Sequence, residues 1–187
     1  KKSSQILWIL DLWPETLSAM GIIKRKWQIE TIRKVVNFIY SQCDVILVQS
    51  KSFINKLKRH KHKEIIYFPA WVESKILRSS KKPAKEIISK KDIFTILFTG
   101  NIGKAQDFPS IVKAAEYLLN INFFKFRIIT IGDGSKKNWL IEEVTKKKLN
   151  DFFEILDKYP LEKMPSFFTH ADALLVSLTN KEVFNLT

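Results

Sequence analysis

Four of the five glycines in the sequence occupy two short turns that could bind a phosphate group. Gly100 and Gly103 follow one apolar run, and Gly132 and Gly134 follow the next one. Glycine tolerates positive φ and lets a ligand approach the backbone closely. Amide groups that begin a helix after such a turn attract anions, because the helix dipole places partial positive charge there. The two turns together therefore indicate a site for a phosphorylated ligand.

The glycine turns do not match the best-known nucleotide motifs. Residues 100–103 lack the G-x-G-x-x-G spacing of dinucleotide-binding folds, and the sequence contains no P-loop ending in Gly-Lys-Ser or Gly-Lys-Thr. The alternative interpretation is that the glycines serve the geometry of a strand-to-helix turn alone. The sequence leaves both interpretations open.

Lys104 and Lys136 are the cations nearest to the two turns in the sequence. A hydrogen bond to a charged group contributes about 1.5–3 kcal/mol, and micromolar affinity requires about 8 kcal/mol. A few backbone amides and one lysine would approach that sum, whereas charges beyond roughly 8–10 Å are screened by salt. We therefore expect the local turns to matter more than the net charge of the whole chain.

Asp11 and Glu15 follow the first strand-like run, at the end where parallel α/β sheets bind ligands. Two carboxylates at this position could act on a substrate. The alternative is that they cap a loop or form a turn, and the sequence favours neither interpretation.

The remaining reactive side chains give no sign of a metal or a nucleophile. His60 and His62 stand in a basic stretch without cysteines, so we expect no metal site there. His170 is typical of a helix end, and Cys43 falls in an apolar helical pattern as a small buried residue. A single cysteine cannot form an internal disulfide, which favours a reducing, cytoplasmic setting.

The composition describes a globular chain that is strongly basic. It has 187 residues, 45% of them hydrophobic, and a formal net charge of +13. Such charge suits nucleic acid, phospholipid or a phosphorylated metabolite, but a solvated lysine surface explains it equally. No apolar run approaches the roughly 20 residues of a transmembrane helix. The sequence starts at a lysine without a signal peptide, so we expect its natural beginning to be missing.

Short apolar runs alternate with amphipathic segments along the whole chain, which predicts a parallel sheet covered by helices. The predicted strands are 6–10, 45–48, 65–68, 94–99, 126–131, 152–155 and 173–178. The predicted helices are 27–43, 51–59, 109–119, 137–148 and 161–168. Low apolar density marks a break, giving domains 1–75 and 93–187 with a linker at 76–92. We expect two Rossmann-like halves, both incomplete, with more chain following residue 187.

Six segments appear in an order that is similar to a known family. They are WILDLWPE at 8–15, VQSKSF at 48–53, FTGNIGKAQ at 98–106, IGDG at 131–134, PLEKMP at 160–165 and ADA at 171–173. In this order they resemble the bacterial family 4 glycosyltransferases of the GT-B fold. The enzymes that assemble O-antigen, capsule or colanic acid are the most similar in these segments.

The resemblance implies a nucleotide-sugar donor, often UDP-linked, that is bound mainly by the second half of the chain. It implies transfer to a lipid-linked glycan or polysaccharide acceptor held by the first half, with retention of configuration and without a metal or other cofactor. The residues that it assigns to the diphosphate are Gly100, Asn101, Gly103 and Lys104. It assigns Gly132, Asp133 and Gly134 to the nucleotide, Tyr159, Pro160 and Met164 to the base, and Asp11 and Glu15 to the acceptor or the transferred sugar. Lys136, the cation nearest the second turn, is expected to add to the donor site.

The sequence departs from this family at the diphosphate loop and at both ends. Asn101 stands where many members carry an arginine, which leaves Lys104 as the cation of that loop. The glycine-rich loop that begins the family's first half lies outside this sequence, as does the paired-glutamate segment that grips donor sugar and ribose. The resemblance therefore implies half of a donor site in this chain.

Two further expectations concern anionic partners. Residues 21–29 mix three cations with apolar side chains, as a segment at a membrane surface does, although a helix docked inside the fold fits equally. This would place the protein at the inner face of the cell membrane. The second functional class is a basic protein that binds nucleic acid or another anionic surface without catalysis. The sequence lacks the interleaved aromatic and basic residues of nucleic-acid modules, so we expect no nucleic acid partner.

Overall fold

The structure is a computed structural model that describes residues 3–58, 64–72, 74–77 and 82–186. The chain divides into two compact units, the first formed by Lys1–Trp71 with Asn180–Thr187 and the second by Val72–Thr179. Each unit contains one parallel sheet with helices, as the sequence predicts. The predicted domain bounds and linker stay predictions. Within the described ranges, no helix combines the length and apolarity that crossing a bilayer requires.

The first unit contains a three-stranded sheet. Its strands are β1 (Ile6–Ile9), β2 (Val45–Val48) and β3 (Glu64–Tyr67), in the order β1-β2-β3 and all parallel. Its helices are α1 (Glu15–Ala19), α2 (Lys26–Gln42) and α3 (Lys51–Leu57), and a 3-10 turn at Phe184–Leu186 also belongs to this unit. Ser50 caps α3, because its hydroxyl accepts a hydrogen bond from Ser52 N at 3.2 Å.

The two faces of the first sheet differ in burial. Ile46 and Val48 are fully buried on the face where α3 contacts the sheet. On the opposite face, Ile6, Trp8 and Ile66 are exposed although they are apolar. Successive side chains of a strand alternate between faces, so one set of residues supplies the core and the other set remains in contact with solvent.

Helix α2 buries a face that is rotated from the predicted one. Apolar residues recur at steps of three and four at Ile29, Ile32, Val36, Ile39 and Cys43, which predicts one buried face. Ile39 is nevertheless 44% exposed, and Tyr40 is buried in its place. Val36 and Cys43 are buried as predicted. Positions 36, 40 and 43 share one helix face at steps of four and three residues, whereas position 39 lies to its side.

The second unit contains a four-stranded parallel sheet in the order β6-β5-β4-β7. Its elements in chain order are α4 (Ser74–Leu77), β4 (Phe94–Asn101), α5 (Phe108–Asn120), β5 (Phe126–Asp133), α6 (Lys137–Lys146), β6 (Phe153–Leu156), a 3-10 turn (Leu161–Lys163), α7 (Met164–Phe168) and β7 (Ala173–Leu174). The central pair β4 and β5 is buried over most of its length, which explains why apolar residues predominate in both strands.

Two apolar cores enclose the second sheet. One core lies on the side of α5 and α6 and includes Phe98, Phe108 and Phe126. The other core includes Ala84 and Ile87, which pack with the buried side chains of β4, β5 and α7. The segment predicted as a linker therefore contributes side chains to the core of the second unit.

Two predicted elements differ in kind or in length from the structure, and short helices were not predicted. The strand predicted at 173–178 is limited to Ala173–Leu174, because only these residues pair with β4 before the chain leaves the sheet. The helix predicted at 161–168 begins as a 3-10 turn and becomes α-helical at Met164, with Pro165 in the first turn, where its missing amide is tolerated. Helix α1 was not predicted, because its five residues are too few to show a helical period.

Candidate functional site

The two glycine turns lie next to each other at the carboxyl edge of the second sheet. Strands β4 and β5 are parallel, and their register pairs Gly100 with Gly132 and Asn101 with Asp133. Loops at the carboxyl ends of parallel strands form the usual ligand site of such sheets. The sequence order of the two strands and their turns thus brings four of the predicted residues to one place.

Close backbone contacts require glycine in the second turn. A Cβ atom on Gly132 would overlap the carbonyl oxygen of Gly100 on the neighbouring strand. Gly134 has a φ of +150°, and a Cβ atom there would lie 2.5 Å from the carbonyl oxygen of Ile102. Geometry alone therefore explains these two glycines, and it also keeps the surface of the turns free of side chains.

Ile102 joins the two turns through its backbone. Its amide donates to the carbonyl of Asp133 at 2.7 Å, and its carbonyl accepts from the amide of Lys136 at 2.9 Å. The Ile102 side chain is fully buried in the core beneath. The turns therefore form one rigid piece and not two separate loops.

Side chains of the chain itself already accept from two of the glycine amides. Gly103 N donates to Gln106 Oε1 at 3.1 Å, and Gly134 N donates to Asp133 Oδ1 at 2.8 Å. A phosphate group could bind these amides only by replacing the side-chain oxygens.

The helices after the two turns begin differently. The carboxylate of Asp107 caps α5, accepting from Ser110 N at 3.4 Å and from Ser110 Oγ at 2.6 Å. Helix α6 has Lys136 at its N-cap position and no side-chain cap. An acidic group already occupies the anion position of α5, so α6 offers the more open helix start.

A cavity of about 360 Å³ opens beside the glycine turns. It is lined by Thr99, Gly100, Asn101, Ile131, Gly132, Asp133, Lys158, Tyr159, Leu161 and Met164. Residues 158–164 form one wall of the cavity. This wall packs on the core through Tyr159, whose ring centroid lies 4.8 Å from that of the buried Phe167. The cavity combines an apolar wall with backbone polar groups, as small-molecule sites commonly do.

The cavity includes some of the predicted donor residues and omits others. Those that line it are Gly100, Asn101, Gly132, Asp133, Tyr159 and Met164. Those that lie outside its lining are Gly103, Lys104, Gly134, Lys136 and Pro160. Sequence reasoning missed Thr99, Ile131, Lys158 and Leu161, although Lys158 follows the end of β6 and precedes Tyr159. The position after a neighbouring strand was the signal that could have identified it.

Lys158 is the one lysine that lines the cavity among the described residues. It is exposed and makes no hydrogen bond or ion pair with the described part of the chain. Neighbouring lysines are engaged elsewhere. Lys136 Nζ lies 5.1 Å from the centroid of the Trp139 ring, and Lys137 contacts the carboxylate of Asp157. The hydrogen bond from Lys137 lowers the pKa of Asp157 below its ordinary value.

An ion pair holds the outer side of the cavity wall. Lys163 Nζ lies 2.6 Å from Glu86 Oε1 and 5.2 Å from the centroid of the Tyr159 ring. Their hydrogen bond lowers the pKa of the Glu86 carboxyl and raises the pKa of the Lys163 ammonium. Segment 82–92 and the wall of the cavity are thereby connected through exposed charges.

The two predicted carboxylates of the first unit lie in different surroundings. Glu15 begins α1, lies 3.6 Å from Arg33 Nη2 and lines a cavity of about 510 Å³ together with Trp13. Arg33 Nη1 also contacts Glu30 at 2.8 Å. Asp11 is exposed, and no described side chain or amide pairs with it. Their assignment to an acceptor stays a prediction.

The described histidine serves a structural contact. His170 Nε2 lies 2.8 Å from the carbonyl oxygen of Ala84, and its Nδ1 lies 3.2 Å from Ser89 Oγ. His60 and His62 lie outside the described residues. In the part of the chain that is described, no three His, Cys, Asp or Glu side chains converge as metal ligands.

No protein-family model matches the sequence, and no curated protein matches it. Solved structures do match. The chain is similar to an α,α-trehalose-phosphate synthase (UDP-forming) from Burkholderia vietnamiensis, with 12% identity and a TM-score of 0.67 over 94% of this chain and 46% of that one. It is similar to Anabaena Alr3699/HepE in complex with UDP and glucose, with 13% identity and a TM-score of 0.65 over 96% of this chain and 47% of that one.

The pneumococcal O-GlcNAc transferase GtfA, in complex with UDP and GlcNAc, matches with 13% identity and a TM-score of 0.57 over 80% of this chain and 28% of that one. The chain thus spans less than half the length of each of the three structures. Their common architecture is the GT-B fold, so the predicted α/β fold with two parallel sheets is confirmed. Identities this low establish fold and nothing finer.

Proposed function

We propose that this chain belongs to a retaining glycosyltransferase whose donor is a nucleotide sugar, most simply a UDP sugar. The transferred group would be a hexose or an N-acetylhexosamine. The acceptor would be a lipid-linked glycan or polysaccharide in the synthesis of a bacterial surface polymer such as lipopolysaccharide or capsule. The observation that carries the proposal is the cavity at the paired glycine ends of β4 and β5, in a fold shared with enzymes solved with UDP.

The chemistry of the cavity supports a nucleotide. Its volume of about 360 Å³ lies within the roughly 300–1,000 Å³ of small-molecule sites. Tyr159, Leu161 and Met164 provide an apolar wall for a base, whereas Asn101 and Lys158 provide a donor amide and a cation for phosphate. In this arrangement the diphosphate contacts Lys158 and not Lys104.

The proposed transfer uses no metal or other cofactor, and Lys158 offsets part of the diphosphate charge. Asp11 and Glu15 are proposed to face the acceptor or the transferred sugar. Of these two, Glu15 is the better placed to hold a polar ligand, because it lines a cavity together with an arginine and an aromatic ring.

Nucleotide binding to the 187-residue chain tests the proposal. The ¹⁵N-labelled protein is titrated with UDP, GDP and TDP while amide shifts are recorded. We expect shifts at 99–101, 131–133, 158, 159 and 161 with one of the nucleotides. The amides of Lys113, Ala114 and Tyr117, which are exposed residues of α5, provide the internal control. Absence of any saturable shift around the cavity with all three nucleotides would exclude the donor site.

Location at the inner face of the cell membrane is a separate part of the proposal. Trp27 and Phe38 of α2 are 62% and 65% exposed and lie on one outward side of the helix. Lys24, Arg25 and Lys26 precede this side and are exposed as well. Basic residues beside exposed aromatic ones suit the surface of an anionic bilayer.

Co-sedimentation with vesicles of anionic phospholipid tests this location. We expect Lys24, Arg25 and Lys26 replaced by glutamate to abolish binding, and Trp27→Gln with Phe38→Gln to weaken it. The control replaces Tyr117 and Ile121, which are similarly exposed on or beside α5, by glutamine. Equal binding of the wild type and the charge-reversed variant would remove the membrane from the proposal.

We propose that nucleic acid is not a partner of this protein. Part of the basic surface is already paired, since Lys56, Lys137, Lys147 and Lys163 each contact a carboxylate. A titration with a duplex oligonucleotide at several salt concentrations tests this statement. Binding whose logarithm falls steeply with the logarithm of salt would favour the basic binding protein instead.

A further inference from the structure

A second polar cavity lies at the opposite edge of the second sheet. It has a volume of about 490 Å³ and opens at the amino ends of β4 and β5, next to the start of β7. Its lining includes the buried Arg127 of β5 and two exposed cations, Lys90 and Lys125. The proposed donor site does not involve these residues.

Arg127 is a buried cation without an acidic partner. Its side chain is 4% exposed, and no carboxylate of the described residues forms an ion pair with it. Its Nε donates to Thr95 Oγ1 at 2.9 Å, and its Nη1 donates to the carbonyl of Ile88 at 2.6 Å. Both acceptors are neutral. A buried charge normally requires a counter-charge, because desolvation costs several kcal/mol per ion.

The guanidinium also retains free hydrogen-bonding capacity. An arginine has five N–H donors, and two hydrogen bonds use those of Arg127 within the described chain. The remaining donors belong to a planar fork that matches the oxygens of a carboxylate or phosphate. The hydrogen bond to the carbonyl of Ile88 explains one N–H donor of Arg127. It explains neither the remaining N–H donors nor the buried positive charge.

The charges around the cavity favour an anion. Three cations line it, Lys90, Lys125 and Arg127, against two carboxylates, Asp92 and Asp172. The Asp172 carboxylate already accepts from the amide of Thr95 at 2.7 Å, at the start of β4. His170 adds no free donor, since both ring nitrogens contact neighbouring oxygens.

We propose that this cavity binds a phosphate group, either free or on a small metabolite, between the buried Arg127 and the exposed Lys125 and Lys90. The site is distinct from the nucleotide cavity, because Arg127 and Gly132 are five residues apart along β5, which is about 16 Å. It therefore does not depend on the proposed glycosyltransferase activity.

Amide shifts locate phosphate binding directly. The ¹⁵N-labelled chain is titrated with inorganic phosphate at constant ionic strength, set with sodium chloride, and separately with glucose 1-phosphate. We expect saturable shifts at Thr95, Lys125 and Arg127, and none at Gly100 or Gly132. Tighter binding of one probe identifies the source of the phosphate. If neither probe shifts the amino-end residues, or if the shifts centre on the glycine turns, the site does not exist as proposed.

A matched pair of variants distinguishes phosphate binding in the cavity from nonspecific attraction to the basic surface. Lys125→Gln removes a cation that lines the cavity, and Lys113→Gln removes one from the exposed side of α5. Both lysines are exposed, so folding should be unaffected, and Arg127 is left intact because it is buried. We expect Lys125→Gln to weaken phosphate about fivefold, as for a solvent-exposed charge pair, and Lys113→Gln to leave it unchanged. Equal weakening by both variants would overturn the proposal.

Discussion

Replacing Lys158 by glutamine provides the sharpest test of where a donor diphosphate would bind. Lys158 is the described lysine that lines the nucleotide cavity, and it has no competing partner among the described residues. A hydrogen bond to a charged group contributes about 1.5–3 kcal/mol. The lower end applies because the lysine is exposed and its charge is screened. A loss of about 1.4 kcal/mol corresponds to a tenfold weaker Kd.

The assay compares two ligands and two variants by isothermal titration calorimetry. UDP carries the diphosphate and uridine does not, so Lys158→Gln should weaken UDP about tenfold and leave uridine unchanged. Lys104→Gln removes the same charge from the loop after β4 but lies outside the cavity lining. It should change the affinity for UDP by less than about twofold. Thermal unfolding of each variant verifies that the fold is intact.

Two results would refute this reasoning. If Lys104→Gln weakens UDP as much as Lys158→Gln does, the diphosphate lies over the first glycine turn, as the sequence alone predicts. If Lys158→Gln weakens UDP and uridine equally, the lysine supports the wall of the cavity and not the phosphate.

Three further predictions concern stability, measured by denaturant unfolding. Gly132→Ala should destabilise the chain by on the order of 3 kcal/mol, because the added methyl group overlaps the backbone of β4. The control Gly21→Ala, whose methyl group meets open space at φ +68°, should cost about 1 kcal/mol. Equal losses of stability would contradict the close contact at Gly132. Glu86→Gln should destabilise the protein near neutral pH and lose this effect in acid. The folded state lowers the pKa of Glu86, so the ionised carboxylate stabilises the fold fully at pH values above the ordinary pKa of Glu. That stabilisation disappears as the pH falls through the lowered pKa. Lys163→Met should show the opposite pH dependence, because its destabilising effect disappears as the pH rises through the raised pKa of Lys163. Losses of stability that do not change with pH would argue against the Glu86–Lys163 ion pair. Thr130→Val should stabilise by about 1 kcal/mol, because the Thr130 hydroxyl is buried without a described partner; a loss of stability would reveal a missed hydrogen bond.

The sequence predicts the central strands well because burial on both faces leaves an unambiguous pattern. The apolar runs at 94–99 and 126–131 were predicted as strands, and the structure extends each by two residues into the glycine turns. The pairing of Gly100 with Gly132 also follows from sequence, since parallel strands of equal length end at one edge. Local pattern and topology agree there.

The features that the sequence does not predict depend on contacts between distant segments. Whether Lys104 or Lys158 lines the cavity is decided by the path of the chain after β6, which no local pattern encodes. The burial of Ala84 and Ile87 depends on the second face of the sheet being open to a passing segment of low apolar density. The rotation of α2 toward Tyr40 is set by the neighbours that the helix packs against.

The backbone bridge at Ile102 has a consequence for how the site can adapt. Because both turns are fastened to each other and to the core, the floor of the cavity is ordered before any ligand arrives, and binding there loses little conformational entropy. Adjustment to ligands of different size must then come from the opposite wall, where Leu161 is exposed and the supporting ion pair lies at the surface. Substitutions in the wall should thus change which nucleotide fits, whereas substitutions in the floor should change whether the unit folds.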